Sequence, residues 1–154
     1  MDDSRQPLQR FSASCLCGAS TFTVPKPTKL LVCHCLNCKK WSGSTFAANF
    51  WVPASSLIID DTSKQHIRSH VDGNTESRRT LERHFCGDCG SSLYIVIPHM
   101  PDVVAILSGV IDGLVADGSG PVEEEKRLAG LVPKRELYTK DKCPWVSIQV
   151  ESES

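Results

Sequence analysis

The amino-acid sequence predicts a mainly β fold, and three observations carry that expectation. Short runs rich in β-branched and aromatic residues recur along the chain, each cut off by turn residues. No stretch shows the apolar spacing of a long amphipathic helix, and no repeat of solenoid length is present. Seven of the eight cysteines fall in three tight clusters, as metal ligands do in small β domains.

Taken in order, strands are expected at Phe11–Ser14, Ser20–Val24, Leu30–Cys33, Phe46–Val52, Leu57–Asp60, Gln65–His70, Arg79–Phe85, Ser92–Ile97, Val103–Val110 and Val146–Val150. Loops are expected at Pro25-Lys26-Pro27, Asp72-Gly73-Asn74 and Asp117-Gly118-Ser119-Gly120-Pro121. One short helical turn is placed at Asn37–Ser42 and another at Glu123–Leu128. With 154 residues the chain has the size of one domain. The expected organisation is a flexible lead over residues 1–10, a single domain over 11–150 and a tail over 151–154.

The formal net charge is −1, so no global field draws the chain to nucleic acid or an anionic membrane. The polar N-terminal segment has no apolar stretch of a secretory signal, and no apolar run approaches a membrane span. An intracellular, cytoplasmic protein is therefore expected, in a compartment where metal is favoured over disulfides.

Cys15 and Cys17 form C-x-C, Cys33, Cys35 and Cys38 form C-x-C-x-x-C, and Cys86 and Cys89 form C-x-x-C. In extended backbone, residues two apart face the same way, so each C-x-C can offer two thiolates to one ion. Thiol-rich sites favour zinc, with iron as the competitor. Gly18 and Gly90 follow two of the clusters and suit a tight turn around a metal. Seven cysteines divide as four plus three, a closed structural zinc at Cys15, Cys17, Cys86 and Cys89 and an open one at Cys33, Cys35 and Cys38. They divide equally well as a zinc ribbon of Cys35, Cys38, Cys86 and Cys89 with the other three left over.

The strings Cys15-Leu16-Cys17-Gly18, Cys33-His34-Cys35-Leu36-Asn37-Cys38-Lys39-Lys40-Trp41-Ser42-Gly43-Ser44 and Phe85-Cys86-Gly87-Asp88-Cys89-Gly90-Ser91 stand in that order. With Ser108-Gly109-Val110-Ile111-Asp112 and the stretches Glu136-Leu137-Tyr138 and Pro144-Trp145-Val146, they resemble the glutathione-dependent formaldehyde-activating enzyme family, also called the CENP-V/GFA domain. The resemblance runs over about residues 11 to 148. It implies a β-tent of several short antiparallel sheets around zinc and selects the four-plus-three division. It implies two zinc ions per chain, one structural and one catalytic at Cys33, Cys35 and Cys38, where the fourth position receives water or a substrate sulfur. It further implies a carbon–sulfur lyase acting on a small thiol adduct, with glutathione or another thiol and an aldehyde as partners.

For the carboxylates of such a substrate the nearest basic residues are Lys39, Lys40, Arg83 and His84. Cys143 is expected to be an idle thiol, and His34, between two ligand cysteines, to point away from them. Trp41, Phe46, Phe50 and Trp51 are candidates for core or for a pocket wall. Two other functions compete. One is a zinc module that binds nucleic acid or protein, as the chromosomal role of CENP-V relatives implies; here Arg78-Arg79 and Lys39-Lys40 are too few for a phosphate track. The other is a carrier of the glutathione adduct without turnover.

Overall fold

Alternation of apolar and polar residues places one face of most strands in the core, and eleven strands form among the described residues. The computed structural model describes residues 10–114 and 131–151. They are β1 (Arg10–Ser14), β2 (Thr21–Pro25), β3 (Leu30–Cys33), β4 (Ala47–Pro53), β5 (Ile58–Ile59), β6 (Ile67–Asp72), β7 (Leu81–Cys86), β8 (Ser92–Val96), β9 (Val103–Leu107), β10 (Ile111–Leu114) and β11 (Arg135–Leu137). One helix, α1 (Leu36–Ser42), follows β3, and short 3-10 turns lie at Ala54–Ser56, Asp61–His66, Ser108–Val110 and Thr139–Asp141. Among the described residues no helix is long and apolar enough to cross a membrane.

The strands make a four-stranded sheet in the order β10-β1-β2-β5 and a seven-stranded sheet in the order β11-β3-β4-β9-β8-β7-β6. The fold class is mainly β, as expected. Among the described residues all pairings are antiparallel except one: β11 runs parallel to β3, pairing Leu137 with Cys33. A return segment arriving from far along the chain has no tight turn to reverse it.

The register of the seven-stranded sheet sorts its side chains into two faces. Leu30, Phe50, Ile106, Tyr94 and His84 form one row across it. Phe22 of the smaller sheet meets Tyr94 edge to face, with ring centroids 5.8 Å apart, so this face packs against the smaller sheet. The opposite face carries Cys33, Asn49, Trp51, Ala105, Ile95 and Arg83.

The strand limits differ from the sequence expectation in places. The β6 strand begins only at Ile67, because Asp61–His66 winds into a 3-10 turn. The segment expected at Val103–Val110 stops at Leu107, where Ser108–Val110 turns. No strand forms at Val146–Val150 despite its alternation. Two short strands, β10 and β11, were not anticipated; Asp112 and Gly113 in one and the charged pair Arg135-Glu136 in the other are poor strand formers. The loop expected at Asp117–Pro121 and the helical turn at Glu123–Leu128 lie outside the described residues.

Phe50 is fully enclosed in the face shared by the two sheets. Phe50→Ala should cost about 3–5 kcal/mol, whereas Val71→Ala at an exposed site of β6 should stay within about 0.5 kcal/mol. Urea denaturation of the two variants checks this; equal losses would place the core elsewhere.

Candidate metal centres and the adjoining cavity

The ends of β1 and β7 each run into a cysteine turn, and the two turns meet. Gly18 (φ 82°) and Gly90 (φ 80°) adopt left-handed backbone that a side chain would oppose. Their N–H groups donate to the carbonyls of Cys15 and Cys86, at 3.1 and 2.8 Å, and so close both turns alike. The sulfurs of Cys15, Cys17, Cys86 and Cys89 all lie within 4.8 Å of one another. Cys15 and Cys17 stand 3.6 Å apart, Cys17 and Cys86 3.9 Å. A disulfide needs about 2.05 Å, while four sulfurs about 2.3 Å from one tetrahedral zinc stand about 3.8 Å apart. The four-sulfur set therefore fits a zinc ion.

Two of these sulfurs, Cys86 and Cys89, are held towards thiolate, while Cys17, despite the Ala19 N–H, is pushed up to about 12 by hydrogen bonding to Cys15 and by burial. The Ser20 N–H donates to Cys15 Sγ at 3.2 Å. Burial opposes ionisation of Cys86, but the Cys89 and Asp88 N–H groups help bring its pKa below the ordinary thiol value. The Ser91 hydroxyl and N–H lower Cys89 to about 5. The Leu16 N–H donates to the same Ser91 hydroxyl at 2.9 Å, tying one cysteine turn to the other.

The second set forms where β3 gives way to α1. Cys33 ends the strand, Cys35 caps the helix with its sulfur accepting the Cys38 N–H at 3.3 Å, and Cys38 lies in the first turn. Their three sulfurs also lie within 4.8 Å of one another, and all three residues are buried. Hydrogen bonds from Cys33 and Cys38 hold Cys35 far below the ordinary thiol range, while hydrogen bonding to Cys35 pushes Cys33 far above it. Three sulfurs this close oppose one another's ionisation, and a divalent cation is the group that lets more of them ionise. Three convergent sulfurs fit zinc with one position left for another ligand.

A cavity of about 190 Å³ opens beside these three cysteines. Its floor is the outer face of the seven-stranded sheet, with Trp51, Ile95 and Ala105; Thr75, Glu76, Ser77 and Tyr138 also line it. Tyr138 (φ 56°) and Arg78 (φ 62°) hold left-handed backbone on the two segments that flank it. Glu76 pairs with Lys140 and so links those segments.

Of the four basic candidates, Arg83 alone lines the cavity. It is buried, its Nε donates to Asp72 at 2.8 Å and its guanidinium lies 3.8 Å from Cys38 Sγ and over the Trp41 ring. Asn37 donates to both oxygens of Asp72 at 3.0 Å, which fixes the carboxylate behind the arginine. Lys39 donates to the Asp141 carbonyl, and Lys40 is exposed. His84 lies on the other face of β7, stacked on Tyr94 at 4.5 Å. His34 points away from its cysteine neighbours, as expected, and its Nε2 meets Glu136 at 2.8 Å. Cys143 belongs to neither sulfur set among the described residues.

Residues 10–141 match the family described as glutathione-dependent formaldehyde-activating enzyme. A protein of Halomonas elongata carrying that name provisionally is 34% identical over 103 residues, 64% of each chain. This chain thus spans less than two thirds of that relative. An uncharacterised lyase of Schizosaccharomyces pombe is 24% identical over 139 residues, 87% of this chain and 94% of that one. The crystal structure of a Rhodobacter sphaeroides protein superposes with a TM-score of 0.54 at 18% identity, over 72% of this chain and 96% of that one, which shows a shared fold.

Burial raises the Asp72 pKa, but hydrogen bonds from Asn37 and Arg83 and the arginine's charge outweigh it and hold the carboxyl below its usual value. A depressed carboxyl stabilises the fold above its unfolded pKa of about 3.9 and ceases to do so as pH falls through its folded value. Asp72→Asn should therefore cost about 3–5 kcal/mol at pH 7, since it leaves Arg83 buried without its counter-charge. The gap between wild type and variant should narrow steadily below about pH 4. Urea titrations across that range measure it; a gap independent of pH would mean Asp72 is not ionised in the fold.

Proposed function

The chain belongs to the glutathione-dependent formaldehyde-activating enzyme family, and from that premise we propose that it joins a small thiol of the glutathione type to formaldehyde or a related aldehyde and catalyses the reverse carbon–sulfur cleavage. One observation carries this reading: the two sulfur sets differ in surroundings. Cys15, Cys17, Cys86 and Cys89 supply a full set of four donors between two sheets. Cys33, Cys35 and Cys38 supply three and face a cavity.

In this proposal the first set holds a structural zinc and the second a catalytic one. The chemistry that zinc supplies at three sulfurs is Lewis acidity, which favours thiolate over thiol at neutral pH. The chain's own groups work in the same direction. Arg83, fixed by Asp72, puts positive charge beside Cys38, so an anionic sulfur brought into the cavity meets an arginine rather than sulfur charge alone. Trp51, Leu81, Ile95, Ile97 and Met100 make much of the wall apolar and exclude the water that would compete for the aldehyde.

The cavity also sorts the substrate by part. Its volume lies below the roughly 300–1,000 Å³ of sites that enclose drug-sized ligands, so it takes the reacting sulfur, its methylene and the aldehyde carbon. The charged ends of a tripeptide stay at the polar rim of Thr75, Glu76 and Ser77. Holding sulfur and carbon together in a small dry space makes a bimolecular addition effectively unimolecular.

Exchange NMR on glutathione and labelled formaldehyde at equilibrium tests the reading. Wild type should speed interconversion of thiol and hydroxymethyl adduct in proportion to enzyme concentration. Cys38→Ser should return the rate to the uncatalysed one with the fold retained by circular dichroism. Saturable glutathione binding with no acceleration would make the protein a carrier.

A further inference from the structure

Among the described residues, four side-chain polar atoms are buried without a hydrogen-bond partner: Ser20 Oγ, His34 Nδ1, Asn49 Oδ1 and His84 Nε2. Only Asn49 also lines the cavity beside the three cysteines. It sits in the middle of β4, only 5% exposed, between Leu31 of β3 and Leu107 of β9. A buried amide oxygen left without a donor is destabilising, and none of the described residues supplies one to Asn49 Oδ1. Folding alone gives no reason for an amide at this position.

The register says what the amide can reach. Cys33 pairs with Ala47, and Asn49 lies two residues further along β4 on the same face. Diagonal neighbours of this kind have their backbones about 7–8 Å apart, and Asn49 borders the same cavity as Cys33, Cys35 and Cys38. A half-turn about χ2 exchanges the amide's ends, so it can donate to a carbonyl oxygen or accept from a hydroxyl.

Building on the proposed reaction, we propose that Asn49 binds the oxygen on the carbon that the thiol attacks, and so selects for oxygen-bearing carbons over plain S-alkyl groups. In the addition the sulfur–carbon bond forms and the carbonyl π pair moves onto oxygen. The thiol's proton ends on that oxygen, giving a hydroxymethyl thioether. Nδ2–H of Asn49, the end of the amide not shut away from the cavity, stabilises the oxygen as it gains charge.

The test is calorimetric binding of two stable probes, the S-formyl and S-methyl derivatives of glutathione, to zinc-loaded protein. Wild type should prefer S-formyl by about tenfold or more, the scale of one buried hydrogen bond. Asn49→Leu should erase that preference by weakening S-formyl alone. Asn49→Thr, whose hydroxyl suits a strand, should restore part of it. No preference in wild type, or equal weakening of both probes in Asn49→Leu, would overturn the assignment. Exchange NMR separates the two levels. A preference without any acceleration sinks the proposed reaction and leaves the Asn49 assignment standing; acceleration without a preference does the reverse.

Discussion

The meeting of two cysteine turns at the ends of β1 and β7 is the contact on which the rest of the arrangement depends. One turn continues the four-stranded sheet and the other the seven-stranded sheet, so the sulfur cluster joins the two layers at one end. Phe22 against Tyr94 continues that contact in the core. With the inner face of the large sheet committed to the smaller one, its outer face is left to form the cavity. The same strand alternation that buries Phe50 turns Asn49 and Trp51 outward onto that floor.

The two sulfur sets then differ for a topological reason. The first draws two residues from each of two distant turns and surrounds a point from both sides. The second comes from one continuous stretch, Cys33 to Cys38, and approaches from one side only. Its other side is open to the cavity, where Arg83, held by Asp72 and Asn37, is the fixed positive charge. Glu136 and Lys142 brace the same stretch from behind through His34.

Much of this was legible in the sequence. The limits of β3 matched in full, and β1, β2, β4, β7 and β8 differed by a residue or two, because apolar alternation bounded by turn residues is a local signal. The two sulfur groupings followed from the family resemblance; spacing alone left two divisions open. What was missed is what local pattern does not encode. The alternation at Val146–Val150 joins neither sheet, while Arg135–Leu137, with little strand character, is held because β3 offers it an edge. Lys39, Lys40 and Arg83 look alike as basic residues near cysteines, yet the strand register turns Arg83 onto the face that floors the cavity. Asn49 carried a readable signal, one polar residue inside an otherwise apolar strand, but its lack of a partner appears only in three dimensions.

Metal content per chain tests the central claim, that seven sulfurs make two separate sites, most directly. It is measured by elemental analysis on protein purified without chelators or an affinity metal, before and after zinc is supplied. The account predicts two zinc ions per chain, with sulfur-dominated X-ray absorption at both. A single zinc that stays single when more is offered would contradict it, and would leave Cys33, Cys35 and Cys38 as thiols lining a cavity without a metal.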